Sequence, residues 1–347
     1  MLNLIKPPML KPGDTVATVS SSWGGAGDEA INWRYLQGKQ RLEQVFGLKV
    51  VEMPNTLKGT EYVYKHPEKR AEDLMQAFAD SSIKAIISCI GGSDSIRMLP
   101  YIDFDVIRNN PKIVTGYSDS TVTHFLCLKA GISSFYGLSL LNDFAENVKM
   151  SDYTLEWANK VLFSSAPIGE IPVSKEYTAQ RLEWVIGNKN VLRKFEKNTD
   201  YELIQGTGII TGRLIGGCLE VIDMIKGTSL FPELNDFDDA ILFLETSEEM
   251  PPVWLLEDSL RSYGMMGIFD RINGLVFGKP FRGTFYEEYK EIIKRILAEF
   301  SKEELPVLYN GSFGHNEPKC LLPYGALAEI RCDEPGFAIL ESGVVKL

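Results

Sequence analysis

Short apolar segments alternate with amphipathic ones along the first 145 residues of the chain. The apolar segments are typical of buried strands, and they are "TVATVSSSWGG" (15–25), "LKVVEM" (48–53), "KAIISCI" (84–90) and "PKIVTGYS" (111–118). Between them, apolar residues recur at helical spacing and predict helices over 31–47, 67–80 and 119–131, the last ending at Gly131. This alternation predicts an α/β domain with a mostly parallel sheet.

The pattern becomes irregular between about 145 and 206 and regular again afterwards. A helix is compatible with the stretch "MSDYTLEWANKVLFSSAP". The remainder is polar with scattered aromatic residues, so we expect a linker and a long loop. Loops of that length tend to act as functional lids. At 347 residues the chain exceeds what one core usually supports. We therefore expect an N-terminal α/β domain over 1–145, a linker and substrate loop over 146–206, and a second, smaller α/β domain over 207–347.

Composition and charge narrow the class of protein. A net charge of -11 repels phosphate backbones and argues against nucleic acid as a general partner. The longest apolar runs, such as "AILFL" at 240–244, are far shorter than the roughly 20 residues of a membrane span. Two prolines stand where a signal peptide needs an apolar stretch, so we expect a cytoplasmic protein without a membrane partner. Its five scattered cysteines are expected to be reduced core thiols.

One turn in the first domain carries candidate chemistry. In "VTGYSDSTVTHF" (114–125), Ser118 lies between a predicted strand and a predicted helix, which is the setting of a nucleophile elbow. Ser120 replaces the second glycine of the usual elbow pattern. The alternative is that Ser118 or Asp119 merely caps the helix, because serine caps are far commoner than serine nucleophiles.

A serine nucleophile needs a base, and the chain has three histidines. His124 is six residues along the same helix, about 240° around it and roughly 9 Å from Ser118, so it cannot reach. His66 precedes Pro67 at a predicted helix start, where histidines are usually solvated. His315 follows the apolar strand "LPVLY" in a glycine-containing loop, a position where α/β active sites gather. A surface loop histidine is the competing interpretation.

The run "AILFLE" is an aliphatic strand that ends in Glu245, and a carboxylate buried there needs a partner. It can orient an imidazole and stabilise its charged form, although it can also cap the segment "TSEEMPP" or pair with an arginine. Glu248 and Glu249 are weaker candidates for this role. The amide of Asp119 and the turn at Gly91-Gly92 can supply donors to an oxyanion. Neither a G-x-G-x-x-G nor a Walker sequence occurs, and no His or Cys spacing indicates a metal.

Six ordered motifs together resemble the LD-carboxypeptidase family of serine peptidases. They span essentially the whole chain, and they are "CIGGSDSIRMLPYID", "GYSDST", "GRLIGGCLEVIDMIKGT", "ILFLETSEE", "INGLVFGKP" and "GHNEPKCLLPYGA". The length, the segment 146–206 and the phrase "LIGGCLEV" are most similar to the microcin-C immunity (MccF-like) branch.

The resemblance implies a role for particular residues. Ser118 is then the nucleophile, Glu245 the acid and His315 the base, with the amides of Gly92 and Asp119 as the oxyanion hole. It further implies an N-terminal parallel-sheet (flavodoxin-like) domain, a smaller C-terminal α/β domain, an active site at their interface, a homodimer, and no metal or organic cofactor.

In the MccF-like branch, aromatic residues on the long loop are associated with binding the adenylate part of the substrate. Trp184 resembles one of these, and Tyr201 stands where a second tryptophan is expected. Core packing is the competing fate of a lone tryptophan.

We therefore expect a serine carboxypeptidase that acts through an acyl-enzyme on a small peptide-like or peptidyl-nucleotide substrate. For the MccF-like branch the bond joins a C-terminal aspartyl residue to a modified adenylate. The first alternative is cleavage of the L,D bond before the terminal D-alanine of a cell-wall tetrapeptide. Two alternatives of other classes are a non-catalytic two-lobe binding protein and a nicotinamide enzyme built on "SSSWGGAG".

Overall fold

The strands and helices below come from a computed structural model, which describes residues 2–346. The α-helices in this range are α1 (Asn32–Phe46), α2 (Thr60–Lys65), α3 (Pro67–Ala79), α4 (Phe104–Asn109), α5 (Thr121–Ala130), α6 (Asp152–Leu162), α7 (Leu219–Ile225), α8 (Val253–Met265) and α9 (Tyr286–Glu299). The strands of the first domain are β1 (Thr15–Val19), β2 (Lys49–Glu52), β3 (Ile83–Ser88), β4 (Ile113–Gly116) and β5 (Phe135–Tyr136). The later strands are β6 (Gly169–Glu170), β7 (Glu176–Tyr177), β8 (Glu196–Lys197), β9 (Glu202–Gln205), β10 (Ile209–Cys218), β11 (Ala240–Glu245), β12 (Gly274–Gly278), β13 (Val307–Gly311), β14 (Leu322–Pro323), β15 (Leu327–Arg331) and β16 (Gly336–Ile339).

The first sheet confirms the predicted parallel α/β pattern. Its strands run in the order β2-β1-β3-β4-β5 and all pair in parallel, which is the flavodoxin-like order. Helix α5 ends at Gly131 in the left-handed conformation, as the sequence predicts. In such sheets, ligands bind beyond the carboxyl ends of the strands. The turns after β1, β3 and β4 therefore meet at one edge.

A second sheet is built mainly from the C-terminal part of the chain. Its central strands β10, β11, β12 and β13 are parallel, while β15, β16 and β6 pair antiparallel on one side and β9 on the other. All six residues of β11 are buried, as expected for the aliphatic run that ends in Glu245. Glu245 ends β11 and Gly311 ends β13, so both lie at the carboxyl edge of these parallel strands.

The segment 146–206 is more structured than a linker and loop. Its helix α6 forms over the stretch for which the sequence left a helix open, and Trp157 of that helix is fully buried. Strands β6 and β9 join the second sheet, whereas β7 and β8 pair only with each other. The expectation of a long irregular loop is therefore wrong for these stretches, because local polarity hides pairing with strands distant in sequence.

Parts of the chain far apart in sequence complete each other's sheets. Strand β14 pairs antiparallel with β5 and extends the first sheet with residues from the C-terminal region. The Tyr324 ring stacks on His124 of α5, and its hydroxyl donates to the Gly216 carbonyl of β10 at 2.6 Å. The five cysteines are buried and free. No helix within residues 2–346 is long and apolar enough to cross a membrane.

Candidate active site

Ser118 occupies a strained turn between β4 and α5. Its φ is +61°, a region that non-glycine residues rarely adopt and that the serine of a nucleophile elbow occupies. Gly91 gives this turn its room, because a Cβ there would lie 2.8 Å from the Ser118 Cβ. Neither Ser118 nor Asp119 caps the helix, and the Asp119 carboxylate instead accepts hydrogen bonds from Ser22 Oγ and, at 2.9 Å, from the Ser95 amide. The capping interpretation is therefore wrong.

Glu245 and His315 form a buried pair in the second sheet. The His315 Nδ1 lies 2.7 Å from Glu245 Oε2, and both side chains are almost fully buried. Gly314 permits this approach, since it has a φ of +96° and its Cβ would come within 2.5 Å of Glu245 Oε2. A carboxylate on Nδ1 fixes the ring so that Nε2 is the nitrogen left for chemistry.

Tyr136 connects this pair to the serine turn. Its hydroxyl donates to Glu245 Oε1 at 2.5 Å and accepts the Ser118 amide N–H at 3.2 Å. Burial and the nearby Glu245 charge raise the pKa of Tyr136 well above its ordinary value, so the hydroxyl keeps its proton. Tyr136 thereby connects the backbone of Ser118 to Glu245 and, through that carboxylate, to His315.

A second carboxylate lies at the other nitrogen of His315. Glu248 Oε2 is 2.9 Å from Nε2, and its Oε1 is 2.7 Å from Arg181 Nη2. The contact has the distance of an ion pair without the alignment of a hydrogen bond, so Nε2 has no hydrogen-bond partner among residues 2–346. Burial alone would lower the pKa of His315, but Glu245 and Glu248 outweigh it and raise the pKa to about 10.

The other two histidines are occupied elsewhere. His124 is fully buried, with Nδ1 2.9 Å from Ser134 Oγ and Nε2 2.9 Å from the Gly116 carbonyl. Burial lowers its pKa to about 4, so it is a neutral structural group. His66 pairs with Glu68 at a helix start. His315 is the histidine that shares a cavity with Ser118.

That cavity has a volume of about 1110 Å³ and is lined by both sheets and the middle segment. Gly92, Ser118, Asp119 and His315 lie along one wall. Residues 179–184 contribute another wall, so the segment 146–206 does reach the site. Among residues 2–346 no group of three His, Cys, Asp or Glu side chains is arranged to hold a metal ion.

An aromatic pair stands on the side of the cavity formed by the middle segment. The Trp184 ring stacks on Trp23 with centroids 6.2 Å apart, and the Arg34 guanidinium lies 4.8 Å from the Trp184 centroid. Trp23 belongs to the "SSSWGGAG" turn, so that turn contributes an aromatic wall. Tyr201 does not line the cavity, and its hydroxyl donates to the Ile171 carbonyl at 3.0 Å.

A buried ion cluster supports the site from behind. The Lys319 ammonium is fully buried and lies 3.0 Å from Asp143 and 3.3 Å from Glu317. It also sits 4.1 Å from the ring centroid of Tyr117, the residue before Ser118. Arg193 pairs with Glu317 at 2.9 Å. Lys319 therefore connects the turn that carries Ser118 to the chain that follows His315.

Replacing Lys319 with Met is expected to lower the free energy of unfolding by about 3–5 kcal/mol, because it leaves Asp143 buried without its cation and Glu317 with Arg193 alone. Urea denaturation measures this. Lys160→Met is the matched control, since Lys160 pairs with Glu156 on the surface and its loss is expected to cost about 0.5 kcal/mol. A cost below about 1 kcal/mol for Lys319→Met would contradict the role given to this cluster.

Sequence reasoning missed Tyr136, Lys319 and the contact of Glu248. The available signals of buried polar contacts were a tyrosine in the apolar run "SSFYG" and the lysine of "KCLLPYGA". A polar group in an apolar stretch needs a partner. The partners lie 109 and 176 residues away along the chain, so no local pattern identifies them.

Comparison with known proteins identifies the family. The LD-carboxypeptidase N-terminal domain matches residues 16–137, and the LD-carboxypeptidase C-terminal domain matches 211–330. The microcin C7 self-immunity protein MccF of Escherichia coli is 30% identical over 339 residues, which are 96% of this chain and 94% of that protein.

Solved structures support the same family assignment. An MccF-like protein from Streptococcus pneumoniae in complex with AMP is 34% identical, with a TM-score of 0.86 over 94% of this chain and 98% of that one. MccF in complex with aspartyl sulfamoyl adenosine is 28% identical, with a TM-score of 0.85 over 98% of this chain and 100% of that one. The chain therefore belongs to the LD-carboxypeptidase family and is a serine-type carboxypeptidase similar to its MccF-like members.

Proposed function

We propose that this carboxypeptidase works through a Ser118, His315 and Glu245 triad. The observation that carries the proposal is the strained Ser118 turn, which opens into the same cavity as the buried His315–Glu245 pair. Ser118 Oγ attacks the scissile carbonyl while Nε2 of His315 takes its proton, and Glu245 stabilises the imidazolium. The amides of Gly92 and Asp119 receive the oxyanion.

His315 then acts as the acid that completes acylation, and as the base that begins hydrolysis of the acyl-enzyme. His315 gives its proton to the leaving nitrogen, the amide bond breaks, and the acyl group stays on Ser118 as an ester. Water, deprotonated by His315, then attacks the ester; the bond to Oγ breaks, His315 returns the proton to Ser118 Oγ, and the acid leaves. Protein residues supply every proton transfer in this scheme.

We further propose that the substrate is an aminoacyl-nucleotide amide, with aspartyl as the acyl residue inferred from the resemblance. The stacked Trp23 and Trp184 offer a planar surface for a purine base, and Arg34 places a cation beside it. Two proteins with the same overall fold have been solved in complex with AMP and with aspartyl sulfamoyl adenosine. The homodimer implied by the resemblance stays a prediction that light scattering tests.

The substrate is tested by offering the protein aspartyl sulfamoyl adenosine and, separately, a muramoyl tetrapeptide, with the products followed by mass spectrometry. We expect the aspartyl–nucleoside bond to be cleaved. Release of D-alanine alone would favour the cell-wall alternative. Binding of either compound without turnover would favour a two-lobe binding protein, and binding of a dinucleotide would favour the nicotinamide alternative.

Trp184→Ala is expected to weaken AMP binding by about 1–3 kcal/mol, because one face of the base loses its aromatic partner. Isothermal titration calorimetry with AMP measures the change. The control is Trp254→Ala, since Trp254 is 59% exposed and does not line the cavity. Equal affinities of Trp184→Ala and the wild type would remove the stacking role.

A further inference from the structure

Both ring nitrogens of His315 face carboxylates. Glu245 lies at Nδ1 and Glu248 at Nε2, at 2.7 and 2.9 Å. The two acids differ in setting, because the Glu245 side chain is 1% exposed and the Glu248 side chain is 27% exposed. Glu245 is also held by Tyr136, whereas Glu248 follows β11 in a loop and is held by Arg181 of the middle segment.

Such an imidazole cannot act as a base. A ring between two carboxylates is stabilised in its protonated form, and an imidazolium has a proton on each nitrogen. Nε2 then has no lone pair with which to accept the Ser118 proton. The Glu248 carboxylate also lies at the nitrogen that the serine hydroxyl has to approach.

The remaining charged groups around His315 do not cancel this effect. The edge of the Tyr117 ring packs against the imidazole with centroids 5.1 Å apart, and burial raises the pKa of its phenol, so Tyr117 stays neutral. Lys319 lies 4.1 Å from the centroid of that ring, and its direct partners Asp143 and Glu317 balance its charge.

On the other side, Glu220 lines the same cavity near Glu245, where burial raises the pKa of its carboxyl. Arg181 lies on the far oxygen of Glu248 and balances part of its charge. His315 therefore has its two direct charged contacts with Glu245 and Glu248, and Glu248 is the partly exposed one.

We propose that Glu248 is a positioning residue that keeps His315 protonated and idle while the cavity is empty, and that substrate binding moves its carboxylate off Nε2 so that Ser118 can take its place. The proposal rests on the proposed function, since it describes the regulation of that site. Arg181 connects the change to the substrate, because it projects from the cavity wall at 179–184 and holds the second oxygen of Glu248.

The test is the titration of His315 in Glu248→Gln, followed by NMR on protein labelled with ¹⁵N-histidine and free of substrate. The chain has three histidines, so assignment needs only their single replacements. Removing the charge at Nε2 is expected to lower the titration midpoint by about 1–3 pH units. Glu249→Gln is the matched control, because the neighbouring Glu249 makes no ion pair with His315, and its midpoint is expected to match the wild type.

A kinetic readout separates this role from a structural one. The pH profile of kcat/KM reports the free enzyme, so its acid limb is expected to move to lower pH in Glu248→Gln by the same amount. Glu248→Ala is expected to behave likewise and serves if the glutamine variant does not fold. Identical midpoints in Glu248→Gln and the wild type would overturn the proposal. The NMR titration needs no substrate, so its result is independent of the turnover assay that tests the proposed function.

Discussion

Ser118→Ala is expected to reduce kcat for amide hydrolysis by about a millionfold, the loss seen when a triad nucleophile is removed. Without Oγ no acyl-enzyme can form, and the other triad members lose their function because they act as a unit. The strained φ of +61° means that the turn presents this one side chain at the cavity. Initial rates on whichever substrate the wild type cleaves measure the loss.

The control for this prediction is Ser120→Ala. Ser120 lies two residues further along the same turn, is buried, and its hydroxyl lies 3.1 Å from Ser88 Oγ. Loss of one such neutral hydrogen bond is expected to cost about 1 kcal/mol of stability and to leave turnover within about tenfold of the wild type. AMP binding by Ser118→Ala would show that its cavity is intact. A Ser118→Ala variant with a tenth of wild-type activity would contradict the assignment.

Glu245→Gln is expected to reduce kcat by about ten-thousandfold, as when the acid of a serine triad is made neutral. The amide can no longer stabilise an imidazolium, and its NH2 group faces either the Nδ1–H of His315 or the hydroxyl of Tyr136, both of which need an acceptor. Pre-steady-state and steady-state rates locate the loss in the chemical step rather than in binding.

Glu220→Gln is the companion variant for Glu245→Gln. Glu220 is a second acid near Glu245, but its carboxylate accepts the Ser247 amide at 2.9 Å and makes no ion pair with His315. Its replacement is expected to keep kcat within about tenfold, because the pair on Nδ1 stays whole. Comparable losses in the two variants would mean that the negative charge of the cavity, and not the orientation of His315, matters.

The first domain was predictable because its pattern is local. Strands such as Ile83–Ser88 are apolar runs buried on both faces, and the helices between them repeat apolar residues every three to four positions. In a parallel sheet the ends of such strands gather at one edge, so a serine after one strand can be identified from the sequence. Simple helix geometry also excludes His124 from reaching Ser118.

The missed features depend on contacts between distant parts of the chain. Strand β14 completes the first sheet although its two residues come more than 180 positions after β5. The short strands of 146–206 are polar, and their structure comes from pairing with a neighbour rather than from their own propensity. Glu248 could be named as an acid, but its place at Nε2 follows from how the loop after β11 packs against the His315 loop.

Reaction with a fluorophosphonate, mapped by peptide mass spectrometry, tests the central claim that Ser118 is a nucleophile activated by His315. We expect one adduct, on the peptide that contains Ser118, formed faster in Glu248→Gln, where Nε2 of His315 is free, than in the wild type, slowed by bound AMP and lost in His315→Ala. An adduct on another residue, or labelling of Ser118 at an unchanged rate in His315→Ala, would contradict it.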